Sequence, residues 1–288
     1  MARLYRLGLY LVAPLSIAAA LLHLVLGLAY AVLCFGWIGR RGRDAAVVAW
    51  SRLLLLIMGV RVQSIGESPC AWSGRGEVRP GSLLLVNHTS WLDVFALAAV
   101  VPARFVAKAE VGRWPFVGWL AISVGTLFVE RGRRHAVVHT NGQVGARLAC
   151  GQVIGIFPEG TTTDGSRLLP FHANLVQPAI DLGVAMRPVG LRFTQRGEFS
   201  RAAMFIDDMN LMQSMWRIAT APHLAVELHW LPAIEPAPTN RHAAARAARS
   251  AIAQALGIPL FERSMRDDFS PAADGEDTSP DTRSAPAS

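Results

Sequence analysis

The chain has 288 residues, of which 52% are hydrophobic, and a formal net charge of +7. That length allows one sizeable α/β domain with appendages, and a mean hydropathy of +0.31 is high for a wholly water-soluble protein. The basic balance suits an anionic membrane surface or an acidic partner. No helix-turn-helix, RNA-binding or zinc signature accompanies it, so no nucleic-acid partner is expected.

The hydropathy excess is concentrated at the start. No charged residue stands between Arg6 and Arg40. Residues 9–38 form an apolar run broken only by His23, Ser16 and a few small residues, long enough for a bilayer crossing of about 20 residues and too long for a signal-peptide core. Arg40, Arg41 and Arg43 then form a basic stop, which favours a cytoplasmic position for the chain beyond it. A second apolar stretch, 45–60, is interrupted by Arg52. It reads as an interfacial helix or the returning arm of a hairpin, the alternative being a packed helix of the catalytic domain. Residues 1–62 are therefore expected to be membrane-anchor helices, and the Gly/Ser/Pro-rich 63–81 a linker.

From residue 82 to 260 the pattern alternates. Strands are expected at 83–86, 104–108, 126–129, 153–157, 187–193, 202–206 and 224–230. Helices are expected at 91–100 (with Thr89 or Ser90 as N-cap), 112–122 (broken at Pro115), 136–149, 175–182 and 239–256. The alternation predicts an α/β fold with a largely parallel sheet flanked by helices, preceded by the membrane-associated helices. The acidic tail, 261–288, is rich in Ser, Pro, Asp and Ala and is expected to be disordered. The three cysteines, Cys34, Cys70 and Cys150, are widely spaced and match no metal or redox pattern. They read as small hydrophobes in a reducing compartment, and no metal site is expected.

The chemistry lies in two short polar runs. Asn87-His88-Thr89-Ser90-Trp91-Leu92-Asp93 comes directly after the apolar Ser82-Leu83-Leu84-Leu85-Val86. Phe157-Pro158-Glu159-Gly160-Thr161 comes directly after Val153-Ile154-Gly155-Ile156. Polar groups at the carboxyl ends of buried strands face the crevice where open α/β sheets bind ligands. His88 is the only one of the eight histidines with an aspartate five residues on. A histidine with such a carboxylate is a base with an orienting partner. No serine stands in a nucleophile elbow, so the base is expected to act directly on a substrate hydroxyl.

These motifs resemble those of the glycerolipid acyltransferase family, with its N-H-x-x-x-x-D and F-P-E-G-T. Between them Gly125-Thr126-Leu127-Phe128-Val129-Glu130-Arg131 resembles the family's G-x-x-F-x-x-R, and Arg187-Pro188-Val189-Gly190-Leu191 its V-P-V strand. The resemblance spans roughly residues 80–195. It implies a membrane-bound O-acyltransferase that moves a fatty acyl group from acyl-CoA or acyl carrier protein to a lysolipid in phospholipid biosynthesis, without a cofactor. The expected location is a bacterial inner membrane, with the catalytic domain on the cytoplasmic face and membrane lipids as surroundings.

In this reading His88 is the catalytic base and Asp93 fixes its tautomer and stabilises the imidazolium, as a triad carboxylate does. Asn87 holds the loop or the oxyanion. Arg131, Glu159, Gly160 and Thr161 line the acceptor site, with the guanidinium suited to phosphate. The sequence departs from the commonest pattern after E-G-T. Thr162 stands where arginine is frequent, and His172-Ala173 where a basic residue and glycine are usual. Two cations near the acceptor are thus missing, which resembles the branch acylating lyso-ornithine lipids. The competing readings are a thioesterase using the same base and a non-catalytic membrane lipid-binding protein.

Overall fold

The computed structural model describes residues 2–68, 81–130, 134–206, 208–235 and 240–261. The expected disordered tail, beyond Phe261, and most of the expected linker lie outside these residues.

Two helices come first, α1 (Ala2–Cys34) and α2 (Arg40–Ile57). Within α1 the segment Gly8–Cys34 is long and apolar enough to cross a membrane, with a mean hydropathy of 2.3. The helices form a hairpin. His23 and Trp50 lie about equally far from its turn, and their rings stack at 4.8 Å. Trp50 Nε1 donates to the His23 carbonyl at 3.2 Å, and His23 Nε2 lies 3.0 Å from the Trp50 carbonyl.

Within the expected anchor, residues 1–62, one face of α2 is packed. Val47, Val48, Ser51, Leu54 and Leu55 are buried at helical spacing, and α2 packs on the helix Leu92–Ala98 in the main core. The rest of the helix exposes Arg41, Arg43 and Arg52 together with Leu53 and Leu56, an amphipathic pattern. Residues 63–65, expected in the linker, belong to a strand, β1 (Arg61–Ile65), paired parallel to the strand Leu224–Trp230.

The remaining strands are β2 (Ser82–Val86), β3 (Arg104–Lys108), β4 (Leu127–Val129), β5 (Val153–Ile156), β6 (Met186–Gln195), β7 (Glu198–Phe199) and β8 (Leu224–Trp230). They form one sheet in the order β1-β8-β6-β2-β5-β3-β4, with β7 beside β6. All pairings are parallel except β6 with β7 and β6 with β8. The helices are α3 (Leu92–Ala98), α4 (Val117–Ser123), α5 (Arg134–Ala149), α6 (Gln177–Asp181), α7 (Leu211–Ala219) and α8 (Arg241–Leu256), with 3-10 turns at Ala109–Arg113 and Asn174–Val176.

β2 is the centre of the sheet, and its side chains alternate between two cores as strand geometry requires. Leu84 and Val86 enter the layer shared with Leu54 of α2 and Leu92, Ala96 and Leu97 of α3. Leu83 and Leu85 enter the layer with Val144 and Leu148 of α5 and Ala244, Ala245 and Ala248 of α8. The result is a sheet sandwiched between helices.

Two expectations fail in the C-terminal part. The strand expected at 202–206 is irregular, and a short helix, α7, stands after it where none was expected. Asn210 and Gln213 form a capping box at the start of α7, and Met215 and Ile218 face the core. Cys34 and Cys150 are free thiols, and Cys150 is exposed rather than packed.

Candidate active site

β2 lies between β5 and β6, parallel to both. Leu85 pairs with Ile156, and Val86 with Val189. The next residues on each strand therefore emerge side by side, bringing the His88 turn against the Phe157 turn.

His88 Nδ1 lies 2.9 Å from Asp93 Oδ2. The same oxygen accepts the backbone N–H groups of Thr89 at 2.7 Å and Ser90 at 2.8 Å. Asp93 is fully buried, whereas the His88 side chain is 20% exposed. The ring of Phe157 stacks on the imidazole at 4.1 Å between centroids. The histidine is thus held on one face and at one nitrogen, with Nε2 left for another group. Phe157 was legible in the F-P-E-G-T motif as a residue but not as this contact. Helix α3 starts after Trp91 with no side-chain cap, and Ser90 Oγ instead accepts from the Leu92 N–H at 3.2 Å.

The His88 backbone is gripped from the β5 side. Its N–H donates to Glu159 Oε1 at 2.8 Å, and its carbonyl accepts from the Thr163 N–H at 2.9 Å. The other Glu159 oxygen, Oε2, accepts from the Leu169 N–H at 3.1 Å. Glu159 is buried. Burial is the largest cause pushing its pKa up to about 7, aided by the nearby Asp93 charge and opposed by the two backbone hydrogen bonds. The residue expected to line the acceptor site thus carries one backbone amide on each oxygen.

Asn87 holds the loop, the first of its two expected roles. Its Nδ2 donates to the Leu191 carbonyl at 2.9 Å, and its Oδ1 accepts from the Leu191 N–H at 2.7 Å. The buried amide is spent on β6 and holds the loop, so it is not offered to an oxyanion. Gly160 sits at φ 72° and closes the turn with its N–H on the Phe157 carbonyl at 3.0 Å. Its positive φ explains why glycine stands there. Thr161 is exposed beside it. Thr162 Oγ1 donates to the Phe205 carbonyl, and the Phe205 N–H donates to the Thr89 carbonyl at 2.9 Å. The 205 segment is therefore stitched to both motif turns, a connection no sequence spacing announced. Arg131, two residues beyond the end of β4, lies outside the described residues.

A base oriented by a buried carboxylate, at the carboxyl end of a parallel sheet, can take a proton from a hydroxyl. The family model described as Acyltransferase matches residues 72–192, a span that includes both turns. The chain belongs to the acyltransferase family and is an acyltransferase. It is 35% identical over 207 residues to a lyso-ornithine lipid O-acyltransferase of Pseudomonas aeruginosa, covering 72% of this chain and 76% of that protein. It is 33% identical over 191 residues to a 1-acyl-sn-glycerol-3-phosphate acyltransferase of Neisseria gonorrhoeae, covering 66% and 72%. Among solved structures, the 1-acyl-sn-glycerophosphate acyltransferase PlsC of Thermotoga maritima superposes with a TM-score of 0.60 at 16% identity, covering 89% of this chain and 97% of that one. This last likeness supports the shared fold.

Proposed function

We propose that this acyltransferase transfers a fatty acyl group from a thioester, acyl-CoA or acyl carrier protein, to the free hydroxyl of a lysolipid in phospholipid biosynthesis. The observation that carries this reading is the contact from His88 Nδ1 to Asp93 Oδ2 in a chain of this family. Asp93 accepts the Nδ1–H, so Nε2 carries the lone pair that takes the acceptor's hydroxyl proton. The alkoxide oxygen bonds to the thioester carbonyl carbon, and collapse of the tetrahedral intermediate breaks the carbon–sulfur bond. His88 then returns its proton to the departing thiolate. Asp93 stabilises the transient imidazolium. Neither cofactor nor metal takes part.

The acceptor is 1-acyl-sn-glycerol-3-phosphate or lyso-ornithine lipid, the substrates in the names of the two relatives. Arg131 is assigned to the acceptor's anionic group and Thr161 to the rim of the same crevice. Gly160 lets backbone approach the acceptor there.

The protein works at a membrane. Leu11, Leu15, Leu22 and Leu26 of α1 are exposed, and α1 lies against α4 and α7, which expose Trp119 and Ile122, and Met212 and Trp216. We read these exposed side chains on three contacting helices as one apolar face toward lipid. The proposed location is the bacterial inner membrane, with the α/β domain on the cytoplasmic side.

The test is a thioester assay with the full-length protein in phospholipid vesicles. Free thiol should appear only when a lysolipid is added, together with the diacyl product. Thiol release without acceptor would make the protein a thioesterase. Complete extraction of the protein by high salt would sink the apolar-face reading.

A further inference from the structure

The loop that follows the Phe157 turn is held by the C-terminal part of the chain. Leu168 is buried and meets Leu260 in a single parallel bridge. Its N–H donates to the Pro259 carbonyl at 3.0 Å, and its carbonyl accepts the Phe261 N–H at 2.9 Å. Its side chain packs with Ile252, Ala253 and Leu256 of α8. The guanidinium carbon of Arg167 lies 4.8 Å from the centre of the Phe261 ring. Arg249 of α8 closes this junction. Its Nη2 donates to the Leu168 carbonyl at 2.7 Å and to the Phe261 carbonyl at 2.6 Å. One partly buried guanidinium thus holds the loop and the C-terminal segment together.

The next residue carries the junction into the site. The Leu169 N–H donates to Glu159 Oε2 at 3.1 Å, and Glu159 Oε1 accepts the His88 N–H at 2.8 Å. A hydrogen-bonded path therefore runs from Arg249 through Leu168, Leu169 and Glu159 to the backbone of the base. Arg249 stands outside the residues 72–192 that the family model matches.

We propose that Arg249 is a positioning residue for acyl transfer, which locks from α8 the loop that seats Glu159 and, through Glu159, the His88 backbone. The inference rests on the acyl-transfer reading. The guanidinium acts in two ways. It orders the loop through charge-assisted hydrogen bonds to two carbonyls. Its charge also favours the ionised Glu159, the form that accepts both backbone amides. Burial is the largest cause holding the Glu159 pKa at about 7, while Asp93 beside it raises the pKa and Arg249 lowers it. His88 on the first turn and Asp164, Arg167 and His172 along the loop are the further titratable or charged groups on these segments. Asp164 is paired with Arg201.

The test follows kcat and KM for a lysolipid against pH, using the full-length enzyme in phospholipid vesicles with one labelled thioester. Arg249→Gln keeps an amide donor and loses the charge. It should move the acid limb of kcat to higher pH and lower kcat at neutral pH about two- to tenfold, the size of one hydrogen bond. KM should stay at its wild-type value. Arg249→Lys keeps the charge and should leave the acid limb where the wild type has it. In a Glu159→Gln background, Arg249→Gln should move no ionisation. A merely structural arginine would lower kcat equally at every pH and in both backgrounds. The proposal is overturned if Arg249→Gln leaves the acid limb in place, or if Arg249→Lys moves it as far. It is also overturned if either variant raises KM with kcat unchanged. Circular dichroism checks folding, and where Arg249→Gln unfolds, the acid limb of Arg249→Lys decides alone. A wild type without acceptor-dependent thiol release overturns the acyl-transfer reading itself, an outcome distinct from an active enzyme whose acid limb ignores Arg249.

Discussion

The turn after β2 and the turn after β5 are built alike and do different things. Each contains a buried carboxylate that accepts two backbone N–H groups. Asp93 takes both from its own turn and adds the ring nitrogen of His88. Glu159 takes both from elsewhere in the chain, Leu169 and the other motif's His88, and no side chain. The local carboxylate holds the imidazole of His88, and the cross-linking one ties the His88 backbone to the turn after β5. Carboxylates of two motifs that look equivalent in sequence can differ in this way because burial forces each to find whatever donors surround it.

The largest effect should come from the base. His88→Ala is expected to reduce transfer by roughly 10²–10⁴-fold, with vesicle binding and secondary structure unchanged. Turnover near wild type would remove the catalytic reading. Asp93→Asn comes next, with a loss of more than about tenfold, because the amide no longer fixes the tautomer or stabilises the imidazolium. An unaffected rate constant would reduce Asp93 to a turn-forming residue and erase the contrast with Glu159.

Glu159→Gln should lower kcat by several-fold to about tenfold, since a glutamine offers one acceptor where the carboxylate offers two. KM for the lysolipid should stay near its wild-type value; a selective rise in KM would return Glu159 to the acceptor site. Its pKa near 7 adds a pH signature. As pH falls through about 7, the folded protein protonates Glu159, one backbone N–H loses its carboxylate acceptor, and activity drops. Glu159→Gln should remove this ionisation from the acid limb of kcat. Stability moves in the opposite sense. The folded-state pKa is raised above the ordinary 4.5, so the folded state binds the proton first. This group's contribution to stability therefore rises as pH falls from about 7 to 4.5, and its burial is a cost above pH 7. Melting temperatures of wild type and Glu159→Gln across that range should diverge accordingly.

The smallest effect on chemistry should come from Asn87→Leu. It leaves the Leu191 N–H and carbonyl without partners, costing about 2–4 kcal/mol of stability, visible in a urea midpoint. The KM for the acceptor should not change, since the amide faces β6 and not the crevice.

Much of this arrangement was readable from the chain. Leu83 to Val86 form an apolar run of strand length ahead of a polar motif, and β2 forms there. Most of the 33-residue α1 falls in the uncharged stretch after Arg6. Other elements left weaker marks. β1 is an edge strand with mostly exposed residues, so it lacks the burial pattern that announces a strand. α7 is nine residues long, below the length at which periodicity is persuasive, although Asn210 and Gln213 at capping-box spacing were a usable signal. Residues 202–206 have strand-like composition, yet their backbone bonds to the Thr89 and Thr162 loops rather than to a sheet neighbour.

By itself the sequence singled out the pair proposed to react. A histidine and an aspartate five residues apart can meet within one turn whatever the rest of the fold does, because their spacing is local. Only the tertiary structure decided what Asn87, Glu159 and Thr162 hold: the parallel register of β2 with β5 and β6 brings Leu191 to Asn87 and His88 to Glu159, and Phe205 reaches Thr162 from the segment before α7. A hydrogen bond between positions far apart in the chain leaves no periodic trace, and it exists only once buried polar groups have had to find one another in the packed domain.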